Sequence, residues 1–242
     1  MMTMRTRRIM AGLVVLSLVA VGCGSKSSTD TSSTTESTQA TTTVTNATTT
    51  STSGSTSTTA QSDTAVWPFA TSTTRFTDPV AAARSFAESY LGFVAPVVGD
   101  FQQGDTRSGE VVIKPDASGP STTVLVRQLA PDDSWWVLGA STPNLQLASP
   151  AAQALIGSPV TMTGQSTAFE ATVNFEIRQN GTLTPMVADY FMGGSMGQMG
   201  PFSKTVSFAQ PNVAHGAIVL ETSSAENGHI WEATVVPVTF SS

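Results

Sequence analysis

Hydrophobic and polar positions alternate over most of the second half of the chain. The alternation predicts seven short strands, over residues 145–148, 160–164, 171–179, 183–191, 202–208, 217–223 and 230–240. Asn180-Gly181 is a strong two-residue hairpin signal, and a second hairpin turn is predicted over residues 225–228. No helical period occurs in this half. Residues 144–242 are therefore predicted to form a β-sandwich.

A helix followed by a smaller group of strands is predicted over residues 66–143. Thr77-Asp78-Pro79 combines a capping side chain with a proline at the first helical position, and Gly92 can end the helix. Three strands follow, over residues 110–114, 121–129 and 134–140. One helix on an antiparallel sheet is the small α+β domain that this order predicts.

The chain before residue 66 has neither pattern. Residues 25–64 contain 28 Ser or Thr among 40 residues, and such a segment buries too little apolar surface to offset its ordering entropy. We therefore predict a disordered Ser/Thr-rich linker over residues 23–65. Ahead of it, a basic stretch over residues 1–8 and an apolar run over residues 9–21 are typical of a secretory signal. The apolar run is too short to span a bilayer as a helix.

The end of that apolar run resembles the lipobox of bacterial lipoproteins. Ala20-Val21-Gly22-Cys23 places the chain's single cysteine after small residues, although leucine is commoner than Ala20 at its position. The resemblance implies that residues 1–22 are a lipoprotein signal peptide and that Cys23 is the acylated N-terminus of a protein on the outer face of the cell membrane. The alternative is an ordinary signal peptide with a chance cysteine.

Composition and charge restrict the remaining chemistry. Charged residues make up 12% of the chain, and the formal net charge is −6. Removing residues 1–22 leaves eight basic against 17 acidic residues, a balance that repels nucleic acid. One cysteine forms no intramolecular disulfide and no multi-thiolate metal site. We predict no cofactor and no metal, and the sequence does not indicate an oligomeric state.

Two groups of side chains are candidates for partner contact. Trp135 and Trp136 are adjacent on a predicted strand, so their rings should point to opposite faces, one into the core and one to a rim or a sugar-stacking site. Met192, Met196 and Met199 lie in a glycine-rich loop, where they can form an adaptable contact surface or simply cover the end of the sandwich.

A second resemblance covers the chain from about Leu147 to Phe240. The segments that carry it occur in order: Ser149-Pro150, Ser158-Pro159, Phe169-Glu170-Ala171-Thr172-Val173, Gly200-Pro201-Phe202 and Glu221-Thr222-Ser223-Ser224-Ala225. They resemble the immunoglobulin-like domain of bacterial spore germination proteins. The run around Trp135-Trp136 is similar to a region that precedes such domains in actinobacterial exported proteins. The resemblance implies a β-sandwich used for binding or spacing, with no catalytic residues to carry over.

These observations favour a lipid-anchored, non-catalytic cell-envelope protein whose domains bind or scaffold an envelope protein or glycan. The alternative is a receptor for a glycan or small ligand that uses the Trp135/Trp136 face. A hydrolase remains a third reading, because catalytic side chains can assemble from distant positions, although the spacing of Ser, His and Asp shows no triad.

Overall fold

The structure is a computed structural model that describes residues 62–241. The predicted signal peptide, Cys23 and nearly all of the predicted linker lie outside these residues. The described chain contains, in order, α1 (Pro79–Ser85), a π-helical turn (Phe86–Leu91), β1 (Val97–Gln103), β2 (Ser108–Lys114), β3 (Thr122–Leu129), β4 (Ser134–Ser141), β5 (Leu145–Ser149), β6 (Leu155–Ile156), β7 (Val160–Ala168), β8 (Thr172–Gln179), β9 (Val187–Met192), β10 (Gly194–Ser195), β11 (Gly200–Val206), β12 (His215–Ser223) and β13 (Ile230–Phe240).

The helix begins where the sequence predicts it. The Oδ1 atom of Asp78 accepts a hydrogen bond from the Ala81 N–H at 2.7 Å, and Pro79 is the first helical residue. The helical run ends at Gly92. Its inner face presents buried side chains to the sheet: Ala82, Ala83, Phe86, Ala87, Tyr90 and Leu91.

Nine strands form one large sheet. Its order is β1-β2-β3-β4-β13-β12-β8-β9, with neighbours antiparallel, and β6 pairs in parallel with the end of β13. The junction between β4 and β13 is short, because Ala140 pairs with Val235 there. The rest of that edge of β4 pairs with the segment before the helix, through bridges from Trp67 to Val137 and from Phe76 to Trp135.

A smaller sheet covers one half of the large one. The central strand β7 pairs antiparallel with β5 on one side and with β11 on the other, and its last residues pair with β10. The side chains between the two sheets form a continuous apolar core, whose buried members include Leu145, Met162, Phe175, Ile177, Phe191, Phe202, Ile218 and Leu220. The predicted mainly β fold, with one helix on an antiparallel sheet, is confirmed.

β12 and β13 are buried on both faces. Ala217 and Val219 face the core beneath the helix, whereas Ile218 and Leu220 face the core between the sheets. Strands covered on both sides have nearly continuous apolar sequences, as β12 does. The boundary predicted between residues 143 and 144 falls between β4 and β5, and the large sheet runs across it.

Three short or edge strands were not predicted, and one predicted strand begins too early. The unpredicted strands are β1, β6 and β10. β8 and β9 form the antiparallel hairpin predicted around Asn180-Gly181. The strand predicted from residue 183 begins only at Val187, however, so the connection is longer than the two-residue turn that Asn180-Gly181 predicts. The intervening residues close a local turn, in which the Thr184 N–H donates to Thr182 Oγ1, and Pro185 has no N–H to donate to a neighbouring strand.

Candidate functional site

A cleft of about 510 Å³ lies at one end of the sandwich. Three connections surround it: the β7–β8 turn with Phe169, the β10–β11 turn with Met196, and the β12–β13 hairpin. We call it the end cleft and define it by its lining residues: Asn144, residues 167–169, 196–197 and 222–226, Trp231 and Glu232. Its size is in the range of clefts that hold a small ligand or a protruding peptide side chain.

The segment from Gly193 to Met196, which contains β10, is fixed against the β7–β8 turn by backbone hydrogen bonds. The Met196 N–H donates to the Ala168 carbonyl at 3.1 Å, and the Gly193 N–H donates to the Ala171 carbonyl at 2.9 Å. A Cβ on Gly194 would lie 2.0 Å from the Gln198 carbonyl oxygen, so the β10–β11 turn closes only with glycine at that position. The tight turn holds Met196 at the mouth of the end cleft.

The floor of the end cleft contains a buried carboxylate. Glu232 is 3% exposed and accepts hydrogen bonds from Thr142 Oγ1 at 2.5 Å and from Asn144 Nδ2 at 3.0 Å. Burial raises the pKa of Glu232 above its ordinary value, and the two donors partly oppose that shift. No basic side chain in the described chain forms an ion pair with Glu232.

A second buried polar side chain lines the same space. Thr167 is 7% exposed and lines the end cleft. Within residues 62–241 its Oγ1 atom has no hydrogen-bond partner. A buried hydroxyl without a partner is uncommon in folded proteins. Thr222, which is 4% exposed and also lines the end cleft, has an unpaired Oγ1 atom as well. The base of the end cleft therefore contains one buried carboxylate and two buried hydroxyls without a partner among the described residues.

The three methionines predicted as contact residues are all exposed. Met192, Met196 and Met199 are 56%, 70% and 38% exposed, respectively. Met196 lines the end cleft, while Met192 ends β9, where its sulfur accepts a hydrogen bond from Thr172 Oγ1 at 3.5 Å. Of the three, only Met196 is placed in the end cleft. The contact role of the loop stays a prediction.

The two tryptophans are both buried. Their rings lie on opposite faces of β4, as alternation requires, but Trp135 and Trp136 are only 9% and 2% exposed. Trp135 packs edge-on against Phe101 at 5.1 Å, and the guanidinium of Arg75 covers Trp136 at 4.9 Å. Neither ring has a free face on which a sugar could stack, so this geometry does not favour the predicted receptor surface.

The described residues bear on only part of the remaining predictions, which concern lipid attachment, metal binding and the membrane. The lipid-attachment residue Cys23 lies outside the described residues. Among those described, no three His, Cys, Asp or Glu side chains are grouped so that they could hold a metal ion. No helix within residues 62–241 is long and apolar enough to cross a bilayer.

The sequence around Ser195 matches a nucleophile motif, but the local structure does not. Residues 193–197 read Gly-x-Ser-x-Gly, which in hydrolases marks a sharp strand-to-helix turn. Here Ser195 ends β10, and the chain turns from it into another strand, β11. The setting that would expose a serine nucleophile is therefore missing around Ser195.

Sequence reasoning missed most of the end cleft. Met196 is the one lining residue that was predicted as a contact. Phe169, which is 58% exposed beside a turn, gave a further signal, because a large apolar side chain at a loop tip is a candidate contact. Glu232 gave none. Its partner Thr142 lies 90 positions earlier, and their contact depends on strand pairings that residue patterns do not specify.

The comparison with known families concerns the C-terminal half. Residues 144–229 match the family model described as the immunoglobulin-like domain of bacterial spore germination, which confirms the predicted resemblance. The matched segment includes all three connections around the end cleft and stops before Trp231 and Glu232. No curated protein matches the chain, and no solved structure does.

Proposed function

We propose that this protein is a lipid-anchored, non-catalytic protein of the cell envelope, and that it binds an envelope partner at the end cleft. The immunoglobulin-like match over residues 144–229 supports a binding module. A rigid sandwich that carries its contact residues on end loops is a common arrangement for recognition. The observation that carries the proposal is the placement of the end cleft relative to the start of the described chain.

The described chain begins at the end of the sandwich that is opposite the end cleft. Asn180, just after β8, donates through its Nδ2 to the carbonyls of Asp63 at 2.8 Å and Ala65 at 3.1 Å. The other end of β8 is Thr172, beside Phe169 and Met192. Eight strand residues separate the two ends by about 25 Å. The end cleft therefore lies at the end of the sandwich that is far from Ser62 and Asp63, the first described residues.

The anchor is tested by replacing the cysteine. Cys23→Ser should move the protein from the membrane fraction to the medium or the soluble fraction and should abolish labelling by a radioactive fatty acid, because the thioether can no longer form. Ser28→Ala, a few residues away, is the matched control and should stay in the membrane and keep its label. Membrane retention of the Cys23→Ser protein would contradict the proposal.

Partner binding is tested by photo-crosslinking in intact cells. A photoreactive amino acid replaces either Met196 or Leu155, which are 70% and 69% exposed. Leu155 pairs with Thr239, near the end of the sandwich away from the end cleft, and is the matched control. We expect a discrete adduct from position 196 that is absent from position 155 and is lost on adding Phe169→Ser. Equal adducts at both positions, or none at position 196, would contradict the proposal.

A further inference from the structure

We propose that the end cleft recognises a cationic side chain, the ammonium of lysine or the guanidinium of arginine, presented by a basic polypeptide segment of the partner. This inference rests on the proposed function, because it names the chemistry of the group that the end cleft binds. It is carried by the charge of the lining, by the buried polar atoms at its base and by the aromatic and thioether groups around its mouth.

The charge around the end cleft is acidic and has no internal counterion. Glu226 and Glu232 line it, Glu170 adjoins Phe169 on the rim, and no basic residue is among the lining residues. His229 belongs to the same hairpin but does not line the cleft. Six of the seven basic side chains in residues 62–241 form ion pairs with other carboxylates: Arg75, Arg84, Arg107, Arg127, Arg178 and Lys204. A ligand with a positive charge would supply the missing complement.

The base of the end cleft can accept the hydrogen bonds of such a group. Glu232 is held by donors from Thr142 and Asn144, which orient its carboxylate without neutralising it. The Oγ1 atoms of Thr167 and Thr222, which are buried in the lining and have no partner among the described residues, are further acceptors. An ammonium group has donors and no acceptor, so it matches a site that offers a carboxylate and unpaired hydroxyls.

The walls suit the remainder of a long basic side chain. Phe169 and Met196 are exposed at the mouth, and Trp231 is half-buried beside Glu232. Aromatic rings attract cations over their faces, and apolar walls can cover the methylene stem of lysine or arginine. An acidic peptide would be repelled by this lining. A neutral sugar would leave the charge of Glu232 unbalanced.

The test uses the full-length chain in detergent with ¹³C-methyl methionine, and it follows the Met196 methyl resonance, assigned from Met196→Leu. The probes are the capped pentapeptides Gly-Gly-Lys-Gly-Gly and its acetyllysine and glutamate counterparts. We expect the lysine peptide to shift Met196 saturably. The acetyllysine peptide should bind about tenfold more weakly or not at all, because it has lost the charge, and the glutamate peptide should produce no shift.

Charge-removing variants locate the source of the selectivity. Glu226→Gln and Glu232→Gln should each weaken lysine-peptide binding severalfold, whereas Asp100→Asn removes an exposed charge on β1 and should leave it unchanged. Thermal melting of each variant identifies any loss of folding. If only Glu232→Gln unfolds, Glu226→Gln keeps the test decisive.

The outcomes separate the inference from the proposed function. Equal binding of lysine and acetyllysine peptides, or glutamine variants that bind like Asp100→Asn, would overturn cation recognition. A crosslink at position 196 would still support the proposed function in that case. Loss of both the crosslink and the Met196 shift would remove the end cleft as a binding site altogether.

Discussion

On the helix-facing side of β12, Glu221 lies beside an ion pair that β8 contributes. Arg178 is 8% exposed; its Nε donates to Glu176, and its Nη1 donates to the Tyr90 carbonyl at 2.6 Å. Its guanidinium also lies 4.8 Å from the centre of the Tyr90 ring, whose hydroxyl has its pKa raised to about 12 by burial. Arg178 therefore attracts the carboxylates of both Glu176 and Glu221. Its hydrogen bond to the Tyr90 carbonyl also ties β8 to the end of the helical run.

Glu221 should make the folded state less stable at alkaline pH. Burial, and then the charge of Glu176, raise the pKa of Glu221 from 4.5 to about 7. The folded chain thus binds this proton more tightly than the unfolded chain does. The stabilisation that the bound proton adds to the free energy of unfolding is lost as the pH rises from about 4.5 through about 7.

Replacing that carboxyl group should remove part of the pH dependence. We expect Glu221→Gln to raise the melting temperature at pH 8 by more than it does at pH 5, because the variant no longer ionises. Glu110→Gln, which replaces an exposed carboxyl group, is the control. Its effect on the melting temperature should be the same at pH 5 and at pH 8. A Glu221→Gln protein with the same pH profile as the wild type would refute the assignment.

At the scale of elements, the helical run is held by its cap and by its inner face. Asp78 caps the first turn, and removal of such a side chain costs about 1 kcal/mol. Phe86 is fully buried and stacks on Tyr90 at 5.2 Å, while Trp67 donates through its Nε1 to Ser85 Oγ at 3.1 Å. The helix is therefore bound to the segment before it as well as to the sheet beneath.

Elements of this kind are the part of the fold that local sequence predicts well. The helix start at Asp78-Pro79 and its end at Gly92 depend on neighbouring residues, and so do the alternating strands. β6 and β10 have two residues each and exist only because β13 and β7 supply partners. A two-residue strand is too short to show a periodic pattern in the sequence. Whether it forms depends on the neighbouring strand with which it pairs.

At the scale of the whole molecule, one sheet serves two cores. The faces of β12 and β13 that contact the helix belong to one core, and their opposite faces belong to the other. The pairing of β4 with β13 joins residues 95 positions apart, Ala140 and Val235. Two separate domains are what the composition and turns predict, because such a distant pairing leaves no local trace.

Residues 62–241 should therefore unfold in one cooperative transition. In a denaturant titration followed by NMR, the Trp135 indole reports the helix-side core and the Met162 methyl reports the sandwich core. We expect coincident midpoints. Asp78→Ala should lower both midpoints in urea by about 0.5 M, from about 1 kcal/mol and an m-value of about 2 kcal/mol/M.

The matched control is Asp78→Asn, which keeps a capping oxygen and should stay close to the wild type. A Met162 midpoint that does not move while the Trp135 midpoint falls would mean that the two cores are independent. The boundary predicted at residue 143 would then separate true folding units.

The contact between Asn180 and the first described residues has a mechanical consequence. Tension between Ser62 and a partner in the end cleft would run nearly parallel to β8 and its neighbours, because those two points lie at opposite ends of the strands. Inter-strand hydrogen bonds are perpendicular to the strands in antiparallel pairs. They would share such a load in shear rather than break one after another, so the sheet is oriented to resist being pulled along its strands.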